Sequence, residues 1–258
     1  MRLFIAAALS LAFVACNNDS DKPNTNGDTL NTNDEHAALV ATTIEATKVD
    51  AAQVPATLKF RGKPYEVWQW KDSLGDNLLV ATLVEAYNDK QKNEYDEEGQ
   101  TAELHAFHYV KKDADYKLLW KISDAEKACP FDITCGFIKN GITVTDLDKD
   151  GIAETTVPYK LACRSDVSPA DMKIVMHEDT AKYALRGLMW VRASESDLFT
   201  ITDDNANLES LPKKKDEYDQ LMQSFGRYQN EKEFATAPPA FLKYAKDQWM
   251  KHVIEKFD

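Results

Sequence analysis

The sequence predicts a mainly β (α+β) fold: an antiparallel hairpin meander or a partly closed barrel, followed by two C-terminal helices. Three observations predict it. Apolar and polar residues alternate from about Ala37 to Thr200, the period of half-buried strands. Clusters of Asp, Gly, Asn and Ser interrupt the alternation about every ten residues, as hairpin turns do. After Pro212 the apolar spacing changes to three and four, the period of a helix.

Taken in order, residues 65–71 (YEVWQWK) enter a turn at 72–76, and residues 77–85 return. Residues 104–111 turn at Asp113-Ala114-Asp115 into 116–122, with Tyr116, Leu118, Trp120 and Ile122 on one face. Residues 142–145 pass through an Asp-rich loop into 152–162. Residues 172–176 turn at Glu178-Asp179 and continue from 182 to 191. These hairpins share a form but no residue-level repeat, which argues against a propeller. Tyr218, Leu221, Met222, Phe225 and Tyr228 mark the first helix. Pro238 and Pro239 open the second, where the first amides lack partners and Pro costs little. Its stripe is Leu242, Ala245, Trp249, Val253 and Phe257, flanked by Lys243, Lys246, Lys251 and Lys256. A stripe holding Trp and Phe belongs against a core, so this helix is expected to cover one face of the sheet.

The chain opens MRLFIAAALSLAFVAC. Arg2 precedes an apolar run over residues 3–14 that is too short to span a membrane. Residues 13–16 resemble a bacterial lipobox. That resemblance implies that residues 1–15 are a signal peptide and that Cys16 becomes an acylated N-terminus, anchoring the protein to a membrane. Residues 17–35 are almost free of apolar side chains and cannot bury enough surface to fold. Together with Cys16 they form an expected tether over 16–35, with an end-to-end distance of roughly 25 Å. The expected organisation is completed by a β domain over 36–200 and a helical segment over 201–258 packed on it. The address implied is the cell envelope, as an outer-membrane lipoprotein on either the periplasmic or the surface-exposed face.

The formal net charge is −12, and no basic stripe interleaved with aromatics occurs, so nucleic acid is not an expected partner. Besides Cys16 the chain holds Cys129, Cys135 and Cys163, an odd number that permits one internal bridge and leaves one thiol. Cys129 and Cys135 would close a short loop without a tertiary assumption, and this is the pairing expected. Cys135 with Cys163, tying neighbouring strands, is the alternative. No His lies at ligand spacing beside these residues, which argues against zinc.

The motif that carries chemistry is Asp146-Leu147-Asp148-Lys149-Asp150-Gly151-Ile152-Ala153-Glu154. Asp146, Asp148, Asp150 and Glu154 stand at its positions 1, 3, 5 and 9, with Gly151 at the bend and the Ile152 carbonyl at position 7. Alternate oxygens in a tight loop converge, which suits calcium, a hard cation that takes 6–8 oxygen ligands. Carboxylates held about 5 Å apart repel by roughly 3 kcal/mol per pair at an effective dielectric of 20, so a loop that gathers them invites a cation. The alternative is an Asp/Gly turn whose side chains splay into solvent or cap backbone amides. Position 12 is Val157 where an EF-hand has Glu, and the flanks read as strands. The loop is therefore similar to the hairpin-type DxDxDGxx(D/E) calcium loops of secreted β-proteins, and its expected role is structural.

Residues 144–187 carry further features: Tyr159, Cys163, Ser168-Pro169 and Lys182-Tyr183-Ala184-Leu185-Arg186-Gly187 after the Asp-rich loop, with residues 70–77 (WKDSLGDN) upstream. This set resembles a family of Bacteroidetes cell-envelope lipoproteins known as surface polysaccharide biosynthesis proteins, with their single DxDxDGxxE loop. The resemblance implies a link to surface glycan and names no reaction. Other candidates are weaker. His105 and His108 would face opposite sides of a strand and share no metal. His177, at a turn, is expected to be exposed. Trp68 and Trp70 share one strand face; core packing is the expected role, and glycan contact by stacking is the alternative. No GxSxG, HExxH or P-loop motif occurs. The expectation is a non-enzymatic lipoprotein that binds or scaffolds at the cell surface. The alternatives are an enzyme modifying surface polysaccharide and an accessory subunit of an outer-membrane protein complex.

Overall fold

A computed structural model describes residues 44–92, 98–192 and 198–255. Cys16, the leader, the tether, Lys256 and Phe257 lie outside the described residues. Strands β1 (Thr47–Val49), β2 (Lys63–Asp72), β3 (Gly75–Lys92), β4 (Glu98–Lys112) and β5 (Asp115–Cys129) form one antiparallel meander in chain order. Strands β6 (Asp132–Phe137), β7 (Thr143–Thr145), β8 (Glu154–Arg164), β9 (Asp171–Glu178) and β10 (Ala181–Leu188) form a second sheet in the order β10-β9-β8-β6, with β7 also on β8. The fold is mainly β and antiparallel as expected, but the sheets stay open and no barrel closes. Strand β11 (Trp190–Val191) pairs in parallel with β12 (Ile254–Glu255).

Alternation along each strand gives each sheet two apolar faces, and three core layers result. Trp70, Leu79, Leu104 and Trp120 of the first sheet meet Val157, Tyr159, Leu161 and Val175 of the second. Val67, Leu78, Val80 and Phe107 on the outer face of the first sheet are covered by Val54, Leu58 and Phe60. Met172, Ile174, Met176 and Leu185 on the outer face of the second sheet are covered by helix α2 (Pro239–His252), through Phe241, Ala245 and Trp249, and by Val253.

The other helix, α1 (Glu217–Ser224), departs from its pattern. Asp216 caps it by accepting from the Tyr218 and Asp219 amides, yet nothing in it is buried. Tyr218, Leu221 and Met222 are exposed, while Tyr228 lies beyond the helix end and is fully buried. Tyr228 bridges to Gly187 on β10, where a Cβ would lie 2.0 Å from the Arg227 carbonyl oxygen. That approach excludes any side chain at Gly187.

The disulfide also differs from expectation. Cys129 pairs with Cys163, with a Cα separation of 5.5 Å, and Cys135 is the free thiol. The expected Cys129–Cys135 loop fails because β6 is extended from Asp132, carrying Cys135 away from the turn at about 3.3 Å per residue. Cys163 stands opposite Ile133, closer to the end of β5. The bridge therefore ties the two sheets together.

Candidate metal centre

The Asp-rich segment is the connection between β7 and β8, closed by the register pair Thr145 and Glu154. Lys149 (φ 66°) and Gly151 (φ 84°) take left-handed conformations that fold the loop back on itself. The Asp150 amide donates to Asp148 Oδ1 at 3.3 Å, and the Ile152 amide donates to Asp150 Oδ1 at 2.7 Å. The loop is also clamped from the other sheet. Ser73 N–H donates to the Gly151 carbonyl at 2.8 Å, and Ala153 N–H donates to Asp72 Oδ2 at 3.1 Å. Asp72 in turn accepts from Trp70 Nε1, the Leu74 amide and Asn77 Nδ2. The β2–β3 turn thus fixes the outer side of the acidic loop.

Carboxylate oxygens of Asp146, Asp148 and Glu154 lie within 4.8 Å of one another, and so do those of Asp148, Asp150 and Glu178. Asp148 is common to both groups, and each of the two groups could hold a metal ion. Glu154 is fully buried; it accepts from Thr145 Oγ1 at 3.0 Å and from the Leu147 amide at 2.9 Å. Its burial pushes its carboxyl up to about 7. Glu178 is also pushed up to about 7, by burial first and then by the negative charges of Asp148 and Asp150. Asp146 Oδ1 and Glu178 Oε1 are buried without a hydrogen-bond partner.

Of the loop residues singled out in the sequence, the structure brings Asp146 and Asp148 to Glu154, and Asp148 and Asp150 to Glu178. Ile152 lies in the same loop, its amide donating a hydrogen bond to Asp150 Oδ1. Glu178 was missed, being 24 residues beyond Glu154 and looking like one member of an ordinary turn. Register is the signal that finds it: Glu178 stands directly opposite Glu154 in the β8–β9 pair. Like charges opposite each other weaken a sheet unless something lies between them.

The other candidates move to the interior. Trp70 is buried between the sheets with its Nε1 on Asp72, and Trp68 packs half-buried against the same core with its Nε1 on Glu66. They do not form an open sugar-stacking pair. His177, expected to be exposed, is buried and stacked on Trp120 at 4.0 Å between ring centroids. It falls on the inward side of β9 because its neighbours Met176 and Glu178 take the other face. His108 lies between Trp70 and Trp120, with Nε2 on Asn77 Oδ1 at 2.9 Å. Burial holds His108 down to about 4 and His177 down to about 3, so both are neutral rings within the core. Compared with known proteins, the chain matches no family model, no curated protein and no solved structure.

Proposed function

We propose that the acidic loop is a structural calcium site and that the chain is an envelope-anchored lipoprotein whose β domain binds or scaffolds at the cell surface. The observation that carries the calcium reading is the pair of buried, unpartnered carboxylate oxygens, Asp146 Oδ1 and Glu178 Oε1, one in each of the two acidic groups. A buried oxygen without a donor costs about 1–3 kcal/mol, more when charged, and a divalent cation bound there removes that cost. Oxygen-only ligands from Asp146, Asp148, Asp150, Glu154 and Glu178 favour calcium over the softer transition metals. The site sits where β7, β8, β9 and the β2–β3 turn converge, so its occupancy would stiffen the junction of the two sheets. The test is thermal unfolding of the mature chain with 10 mM calcium against chelator. Binding in the range of extracellular modules predicts a gain of roughly 3–10 °C that Asp148→Ala with Asp150→Ala removes. An equal response in that double variant overturns the site.

Anchoring through Cys16 rests on the lipobox resemblance, and the link to surface glycan rests on residues 144–187 and 70–77. Incorporation of a clickable fatty acid in the parent but not in Cys16→Ala supports the anchor. Equal fractionation of the two proteins with no label abolishes it. Glycan-array binding without turnover is the corresponding test for the glycan role.

A further inference from the structure

The outer face of the first sheet carries a second constellation, distant in sequence from the acidic loop. Ser123 on β5 stands directly opposite His105 on β4, and Glu103 lies two residues back on the same face as His105. That register produces a hydrogen-bonded chain. Ser123 Oγ lies 2.8 Å from His105 Nδ1, and His105 Nε2 lies 3.1 Å from Glu103 Oε2. The imidazole is buried and the serine is exposed. Glu103 is fixed by a two-bond contact from Arg61 and by the Tyr87 hydroxyl at 2.8 Å. All five side chains line one cavity of about 500 Å³, together with Lys127.

We propose that Ser123 is a nucleophile activated by His105 as general base, with Glu103 as a positioning residue, and that the cavity takes a small carboxylic ester of a polar alcohol. The arrangement has the order nucleophile, base, orienting acid, which recurs on unrelated folds and is recognised by geometry. Here the serine is on Nδ1 and the acid on Nε2, and either nitrogen can accept a proton while the other donates. In the reaction, Ser123 Oγ attacks the ester carbonyl carbon and gives its proton to His105 Nδ1. The bond to the alcohol oxygen then breaks, and that oxygen takes the proton from His105. Water next attacks the acyl-serine carbonyl, passes one proton to His105, and the acid leaves as Ser123 recovers its proton. The sum is ester plus water to acid plus alcohol. Arg61 is engaged by Glu103, and Asp89 and Asp124 also line the cavity, so Lys127 is the lining cation that can face the developing oxyanion. The size of the cavity and its Tyr87, Asp89, Gln91 and Thr101 lining fit a short acyl group on a hydroxylated carrier. The proposal goes beyond the calcium reading and does not depend on it.

The probe is an alkyl fluorophosphonate applied to the full mature chain, with the modified peptide located by mass spectrometry. Attack of Ser123 Oγ on phosphorus releases fluoride and leaves the label on Ser123. Labelling at Ser123 that falls at least 100-fold in His105→Ala supports the proposal, with no label at this position in Ser123→Ala. Ser123 is exposed, so Ser123→Ala keeps the fold, and circular dichroism checks His105→Ala. Burial lowers His105 from the ordinary imidazole value of 6.5, aided by the charges of Arg61 and Lys121 and opposed by Glu103, so the labelling rate rises with pH about a midpoint below that value. Glu103→Gln removes the opposing charge and moves the rate profile to lower pH, a shift that a merely structural role would not produce. No label at Ser123, or equal labelling in folded His105→Ala, overturns the proposal.

Discussion

Glu255 and Glu178 are both carboxylates against the second sheet, and their surroundings are opposite. Glu255 is buried on β12 and receives Lys160 at 2.6 Å, Arg164 through two nitrogens at 2.9 and 3.0 Å, and the Ala170 amide. Burial pushes its carboxyl up, but those bonds outweigh burial and hold it below the usual range. Glu178 is surrounded by Asp146, Asp148, Asp150 and Asp179, and it is raised. Glu103 and Asp124 follow Glu255, with Arg61 and Lys173 as their cations. The chain thus answers its carboxylates with its own cations everywhere in this comparison except around one loop. The difference separates charge used to close the fold from charge that the protein's own cations leave uncompensated.

The largest effect should come from breaking the internally paired side. Glu255→Gln leaves Lys160 and Arg164 facing a neutral amide in a buried position, a change that costs about 3–5 kcal/mol when one partner of a buried pair is removed. Denaturant unfolding should show the loss as a lower midpoint at unchanged slope. Calcium should not restore it. If calcium does restore it, the two regions are not independent and the comparison breaks.

The next effect is at the acidic loop. If it takes calcium as proposed, 10 mM calcium with a dissociation constant between 0.1 and 1 mM would stabilise the fold by about 1.4–2.7 kcal/mol. Glu178→Gln sharpens the comparison, because it removes a ligand and a repulsive charge together. The metal-free variant should melt above the metal-free parent, and its calcium gain should be smaller. A variant less stable than the parent under chelator would show that Glu178 is held by protein groups after all. Paired melting curves in chelator and in calcium decide between these outcomes.

How much of this was legible depends on the range of the interaction that fixes each feature. The alternation along residues 65–85 and 104–122 reads as strands because side-chain direction is local, and the same holds for the loop Asp146–Glu154. Register is not local. It puts Glu178 opposite Glu154 and Ser123 opposite His105, and a single sequence does not specify which strand turns meet. The two C-terminal helices make the same point. Both carry apolar residues at helical spacing, but Trp249 of α2 is fully buried whereas Leu221 of α1 is half exposed. Periodicity predicts the helix, and packing decides whether its stripe is used. Cys163 found Cys129 for a related reason: the pairing depends on how the two sheets stack, which no local pattern carries.

The smallest expected effect is at Glu103, where the internal pairing reaches the surface. The Arg61 guanidinium holds this carboxyl down to about 2, against 4.5 for a free glutamate, with help from the Tyr87 hydroxyl and His105. Because the folded value lies below the unfolded one, the unfolded chain binds more protons between these two values. Stability from this group is therefore fully present above pH 4.5 and is lost as pH falls through about 2. Arg61 is exposed, so salt screens the pair and the contribution is modest. Glu103→Gln should flatten the acid limb of the unfolding curve between those pH values, lowering stability at neutral pH by the modest amount the pair contributes and leaving it unchanged below about pH 2. Raising the salt should bring parent and variant together. An acid limb of the same steepness in both proteins would assign acid sensitivity to the other lowered carboxylates, the more buried Glu255 and Asp124 first among them.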